Sequence, residues 1–307
     1  MKRLTALLLL AVLLLSSCGI SHSGGGEEYY TFNDDAGRSV SIYGRPERVA
    51  VLFSSYAEMW LLAGGGIVAT VGESVERGFA DDGVLLVDGG AGKVIDYEAL
   101  VHSEPDLVIG SLDIENQVKA CELIAKVGVA SALFKVESFD DYARVMGHFC
   151  GITQNGAAYE KYVTRVGEDI SETLEKYAGR EQKSILFVRA ATSAKSTKAK
   201  GSDDNFVCAM LYELGCRNIA DNAPVLLDGL SLEAIIAEDP DFIFFSAMGD
   251  EKRVREYMDG ELGGEVWQSL RAVKECSYAY LPKDMFQYKP NHRFGEAYEY
   301  LAELLYE

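Results

Sequence analysis

The sequence predicts an α/β protein of two similar lobes, each a mostly parallel sheet with helices on both faces, and a long helix between them. Two observations carry this. The first is a repeat: Asp96-Tyr-Glu-Ala-Leu-Val-His-Ser-Glu-Pro-Asp-Leu-Val-Ile109 returns as Ser231-Leu-Glu-Ala-Ile-Ile-Ala-Glu-Asp-Pro-Asp-Phe-Ile-Phe244. The second is an alternation of short all-apolar runs, such as central parallel strands require, with stretches whose apolar positions recur every three or four residues. Length agrees, since about 280 residues beyond the leader exceed what one small core usually covers.

Met1-Lys-Arg-Leu-Thr is a short basic region, Ala6 to Leu15 is nearly all apolar, and Leu15-Ser-Ser-Cys18-Gly follows. The apolar run is too short to span a bilayer, so residues 1–18 read as a signal peptide. Its end resembles the lipobox of bacterial lipoproteins, which implies acylation of Cys18, whose thiol is the nucleophile a thioether-linked lipid needs. Gly19 to Glu28, rich in Gly and Ser, reads as a flexible tether. Tyr29 to Ile42 holds two β-type runs broken by Asp34-Asp-Ala-Gly37, a hairpin signal. Val49 to Phe53 reads as a buried strand, Ser54 opens a helix through Leu62, and Gly64-Gly-Gly66 stops it. Val68 to Val71 and Val84 to Val87 are further strand candidates. In each repeat copy Asp96 or Ser231 caps a helix with Leu100/Val101 or Ile235/Ile236 expected to face inward. That helix ends ahead of Pro105 or Pro240, and a buried strand follows. Helix 115–127 and the run Val129 to Val136 complete the first lobe, residues 29–155. Phe139 to Phe149 and then Ala157 to Tyr177 read as helices. The second is long and charged, and residues 156–178 can join one lobe to the next. The second lobe, 179–307, begins with the strand Ser184 to Val188 and ends in a helix from about Phe294 to Leu305.

The formal net charge is −19, or −21 once Lys2 and Arg3 leave with the leader, which makes nucleic acid a poor partner. Beyond Cys18 the cysteines are five, irregularly spaced, with no CxxC pair. They support neither a disulfide framework nor a zinc site, and Cys121, Cys150 and Cys208 fit as small helical hydrophobes. His22, His102, His148 and His292 do not cluster in sequence, which disfavours a free metal-ion site. A lipid-anchored hydrolase is the competing class, yet the chain has no Gly-x-Ser-x-Gly elbow, His-Glu-x-x-His helix or Cys/His pair.

Taken in order, Asp34-Asp-Ala-Gly-Arg38, Pro46-Glu-Arg-Val-Ala-Val51, Ser54-Ser-Tyr-Ala-Glu58, both Glu-x6-Pro-Asp units, Leu214-Gly-Cys-Arg-Asn-Ile-Ala220 and Trp267-Gln-Ser-Leu-Arg-Ala-Val-Lys274 resemble one family. It is the class III periplasmic binding proteins, the substrate-binding lipoproteins of ABC importers for ferric siderophores, haem and cobalamin. The resemblance runs from about residue 30 to 306. It implies Rossmann-like lobes joined by the single long helix, a ligand cleft between them and no enzymatic activity. It further implies a monomer on the extracytoplasmic face of the cell membrane, held there by its lipid. There is no resident cofactor, since iron or cobalt would travel within the ligand. The implied partners are a metal chelate and a permease dimer with its cytoplasmic ATPase, onto whose arginines Glu98 and Glu233 would dock. A Glu in a first helical turn also complements the helix dipole, which is the plainer account of both residues.

In doubly wound sheets ligands sit beyond the carboxyl ends of strands. The cleft candidates are therefore Ser54, Ser55 and Tyr56 after the first strand, Arg77 and Phe79 after the second, and Asp113 after the first repeat strand. In the second lobe they are the loop Arg189 to Lys200, then Met248, and later Met285 and Tyr288. That loop gathers Arg189, Lys195, Lys198 and Lys200 in an acidic chain, either as a clamp on a carboxylate, catecholate or phosphate or as a solvated loop. Asp203 and Asp204 are candidate caps of the helix after it. Tyr56 is a possible tyrosinate ligand of haem iron or, more simply, a packing residue. Met248 and Met285 read as cleft packing. The basic loop favours an anionic ferric siderophore, with cobalamin and haem as alternatives.

Overall fold

The computed structural model describes residues 28–81, 83–88 and 94–307; the leader, Cys18 and most of the tether lie outside the described residues. Glu28, assigned above to the tether, opens β1 (Glu28–Asn33), which pairs antiparallel with β2 (Ser39–Tyr43). The turn works as its sequence suggests. Asp34 accepts from the backbone N–H groups of Ala36 and Arg38 and from the Arg38 guanidinium, and Gly37 supplies the left-handed residue at φ +74°.

The first lobe follows as β3 (Val49–Val51), α1 (Ser54–Leu62), β4 (Ala69–Thr70), α2 (Gly72–Glu76), β5 (Leu85–Leu86), α3 (Tyr97–His102), β6 (Leu107–Ser111), α4 (Glu115–Lys126) and β7 (Ala130–Phe134). Its strands are all parallel in the order β5-β4-β3-β6-β7. The runs at 68–71 and 84–87 pair over only two residues each, because they lie toward one edge. Asp34 and Asp35 tie the hairpin turn to β7, accepting from the N–H groups of Leu133 and Lys135.

α5 (Phe139–Thr153) leads into one continuous helix from Gly156 to Tyr177, composed of α6 (Gly156–Tyr159), a π-helical turn at Glu160–Thr164 and α7 (Arg165–Tyr177). The second lobe then runs β8 (Ser184–Ala190), β9 (Lys198–Ala199), α8 (Phe206–Glu213), β10 (Arg217–Asn218), α9 (Val225–Asp228), α10 (Leu232–Glu238), β11 (Phe242–Ala247), α11 (Glu251–Leu262), α12 (Arg271–Lys274), β12 (Tyr278–Leu281), α13 (Lys283–Phe286) and α14 (Phe294–Tyr306). The sheet order is β10-β8-β11-β12, all parallel. The segment expected to be a loop is partly structured, since β9 turns back antiparallel on β8 with Arg189 opposite Lys198. Neither Asp203 nor Asp204 caps α8; Asn205 does, accepting from the N–H of Val207.

Alternation along the strands divides the core. Val49, Val51, Leu107, Ile109, Ile185, Phe187, Phe242 and Phe244 face one shared cluster with α5, α7 and α14, which passes from lobe to lobe. Ala50, Leu52 and Val108 face a cluster of the first lobe alone, and Leu186, Val188, Ile243 and Phe245 one of the second. Both repeat caps form as expected, with Asp96 accepting from Glu98 and Ala99 N–H and Ser231 from Ala234 N–H. Each helix, however, buries only one of its two apolar residues. Leu100 and Ile235 are buried while Val101 and Ile236 are 56% and 45% exposed. Adjacent helical positions point about 100° apart, and a helix of two turns lying on a sheet covers one stripe only.

Gly64 ends α1 at φ +90°, and Gly65 passes so close to the buried Trp60 indole that a Cβ there would lie 2.1 Å from Cε2. The indole is also pinned by its Nε1–H bond to the Gly66 carbonyl, 2.9 Å. Gly65→Ala is therefore expected to lower unfolding free energy by about 1–3 kcal/mol through overpacking, measured as a lower denaturant midpoint at unchanged slope.

Candidate ligand cleft and docking faces

Strand order reverses once in each sheet. In the first lobe the chain leaves β3 toward β4 on one side and returns to β6 on the other; in the second, β10 and β11 flank β8. These switch points open crevices at the carboxyl ends of β3 and β6 and of β8 and β11. Ser54, Ser55 and Asp113 lie beside the first crevice, Arg189 and Met248 beside the second. The buried Gln117 side chain, which the sequence reading missed, joins the ends of β3 and β6. It donates to the Leu52 carbonyl and accepts from the Ser111 N–H, 2.8 Å.

Arg77 gathers several predicted residues into one cluster. Its Nη1 donates to Ser54 Oγ at 2.9 Å and Ser55 Oγ at 3.2 Å, and its Nη2 to Glu58 Oε2 at 3.2 Å. The guanidinium lies over the rings of Phe79 and Tyr288, 4.6 and 4.3 Å from their centroids. Ser54 donates in turn to Glu73. Burial pulls the guanidinium below its ordinary pKa, with Glu58 and Glu73 opposing that shift. Arg77 is thus engaged within the protein through both Nη atoms, and Ser54 and Ser55 are buried as its acceptors rather than open to the cleft.

Tyr288 belongs to a strap, residues 287–293, that leaves α13 in the second lobe and crosses to first-lobe groups before entering α14. Asn291, buried and left-handed at φ +53°, donates from Nδ2 to the Ser55 carbonyl at 2.9 Å and to Glu58 Oε2 at 2.7 Å. Its Oδ1 has no partner among the described residues. His292 Nδ1 lies 3.3 Å from Glu58 Oε1, off hydrogen-bond geometry. Lys289 Nζ pairs with Glu137 Oε1 at 3.0 Å, just beyond β7, and lies 5.0 Å from the centroid of the Phe206 ring. Glu58, Glu137, Lys289 and Asn291 were not among the expected site residues. The rule of looking just past each strand, applied to β7, would have found Glu137.

The remaining candidates separate by burial. Tyr56 is 1% exposed, inside the first lobe, and donates its hydroxyl to the Phe134 carbonyl at 2.9 Å. Burial, with Asp113 adding to it, raises its pKa well above the ordinary phenol value, which works against a tyrosinate there. Met285 is also buried, and Met248 is half-buried. Asp113 is exposed, 3.7 Å from Lys135. In the second lobe Arg189 is half-buried at the end of β8, Lys200 is half-buried and Lys198 exposed. The Arg189 guanidinium has no hydrogen-bond or ion-pair partner among the described residues. Burial lowers its pKa, opposed by Glu137. Among the described residues no group of His, Cys, Asp and Glu is arranged to hold a metal ion, and no helix is long and apolar enough to cross a membrane.

Glu98 and Glu233 are both exposed, in the first turns of α3 and α10. An αβ unit of a parallel sheet sets its helix antiparallel to the next strand, so both first turns lie at the carboxyl edges where the crevices open.

A family model described as periplasmic binding protein matches residues 49–285. A comparison with curated protein sequences finds no match. Solved structures of like fold include a possible iron-binding (periplasmic solute-binding) protein from Staphylococcus epidermidis, 19% identical at a TM-score of 0.68 over 86% of this chain and 100% of that one. Staphylococcus aureus SirA complexed with staphyloferrin B is 17% identical at 0.69, over 90% and 98%. The siderophore binding protein BauB, bound to two molecules of acinetobactin and ferric iron, is 16% identical at 0.71, over 90% and 99%. At these identities the likeness is one of fold.

The Arg77–Glu58 ion pair, between α1 and the end of α2, is buried, each side chain 10% exposed. Arg77→Met is expected to destabilise the protein by about 3 kcal/mol, because Glu58 is left buried without its cation. Tyr288→Leu should cost about 1 kcal/mol from the lost ring contact. Urea titrations of the two variants check the order.

Proposed function

This chain belongs to the periplasmic binding protein family, and we propose that it is the substrate-binding component of an ABC importer, capturing an anionic ferric siderophore-like chelate between its lobes. Lipid at Cys18 would hold it at the extracytoplasmic face of the cell membrane. It would act as a monomer, delivering the chelate to a permease dimer driven by a cytoplasmic ATPase.

The observation that carries this reading is the Arg189 guanidinium. In a chain of net charge −19 it lies half-buried at a switch point with no partner of its own among the described residues. A cation kept desolvated and uncommitted is suited to a carboxylate, catecholate or phosphate that arrives with the ligand. Lys198, its register neighbour, adds a second positive group at the rim. Phe79, Tyr288 and Met248 offer apolar surface beside polar handles, as chelate-sized ligands need. BauB and SirA, which share the fold, hold acinetobactin with ferric iron and staphyloferrin B. A hydrolase reading draws no support from the family.

A ligand that binds the folded state alone raises its melting temperature. Melting curves with ferric siderophores, haem and cobalamin should show a rise of several degrees with a ferric siderophore. Arg189→Met should weaken that binding about tenfold or more. A shift with cobalamin alone would replace the ligand class.

Exposed carboxylates, one per lobe on equivalent helices, suit a two-fold partner and supply orientation more than affinity. Glu98→Ala combined with Glu233→Ala is expected to leave chelate affinity unchanged and abolish uptake in cells. Lost affinity would instead place both residues in the cleft.

A further inference from the structure

We propose that Glu137 is the resident counter-ion of the cleft, a carboxylate of the protein itself standing among cations where an anionic group of the ligand takes over. This rests on the anionic-chelate reading above and specifies what the ligand must displace. Glu137 follows β7 in the first lobe and reaches across to the strap, its Oε1 3.0 Å from Lys289 Nζ, with side chains 25% and 13% exposed respectively. Lys289 is further enclosed by the Phe206 ring, 5.0 Å from its centroid. An ammonium so enclosed is costly without a compensating charge, and Glu137 is its ion-pair partner among the described residues. Arg189, at the end of β8, has no such contact among the described residues, and the charge of Glu137 opposes the lowering of its pKa by burial.

One carboxylate therefore serves two cations, Lys289 by direct contact and Arg189 by its field through space. An incoming group of low charge gains Arg189 and is repelled by Glu137. A multiply charged group can take both Arg189 and Lys289, releasing Glu137 to solvent at the rim. In this arrangement Glu137 sets a charge threshold on the ligand, and it does so through the same bond that fastens the strap to the first lobe. The Arg77 cluster, which fastens the strap elsewhere, is held by Ser54, Ser55 and Glu58 within the protein and stays in place.

A purely structural pair predicts the opposite effect of removing the carboxylate, since a loosened strap would weaken binding. The test is calorimetric titration of the full chain with ferric citrate and with the ferric complex of 2,3-dihydroxybenzoate. Glu137→Gln, and Glu137→Ala should the first variant melt too low, are expected to bind on the order of tenfold tighter than the unaltered chain, through removal of a close like charge. Lys289→Met should bind more weakly. Equal or weaker binding by the folded Glu137 variants, with the unaltered chain still binding, overturns the inference and leaves the anionic-chelate reading standing. Binding of neither chelate by the unaltered chain or by any variant overturns that reading and this inference with it.

Discussion

The buried pairing of Arg77 with Glu58 is the interaction on which the arrangement of the cleft depends. Two charges held out of water need further hydrogen-bond and ring partners nearby. Ser54, Ser55, Asn291 and the ring faces of Phe79 and Tyr288 meet that demand. Two of those partners, Tyr288 and Asn291, come from the strap that leaves the second lobe. Satisfying the ion pair therefore fixes one lobe against the other, with Asn291 held in a left-handed conformation to reach it.

The same economy of charge separates fastening from recognition. On one side of the cleft the cation is saturated: Arg77 has ring faces above it and acceptors at its edge. On the other side Arg189 is half-buried without a hydrogen-bond or ion-pair partner among the described residues, and Lys289 pairs with Glu137 across the lobes. Under the proposed function, a ligand anion would be drawn to the second set, because the first is committed to partners within the protein. The continuous helix from Gly156 to Tyr177 and the shared core with α14 keep the two crevices opposed while this happens.

The equivalent helices α3 and α10 show how a duplicated segment can serve both fold and contact. One apolar residue per helix, Leu100 or Ile235, holds it to the sheet, and the capped first turn leaves Glu98 or Glu233 in solvent at the carboxyl edge. Their neighbours Val101 and Ile236 are exposed on both copies, so the outward faces match in apolar as well as acidic character.

Local sequence determined the elements. The caps Asp96 and Ser231, the Asp34–Gly37 turn and the glycine stop after α1 are decided by chain stereochemistry and side-chain size within a few residues, and they form where the residues place them, whereas the apolar pattern puts Val101 and Ile236 inward and they are exposed. The sequence alone also made Arg189 conspicuous, because cations are scarce in so acidic a chain. What only the tertiary structure decided is which charge meets which. Arg77 and Arg189 are alike as cleft candidates from the sequence, yet one pairs with Glu58 and stacks on the strap while the other, which falls inside β8 rather than beyond it, does not. Tyr56 follows two serines that accept from Arg77 and is itself buried, because the first turn of α1 aims it at Phe134. Glu137 and Lys289 are 152 residues apart, and no local pattern couples them. Pairing across that separation is set by how two sheets face each other, and burial then makes the pair matter.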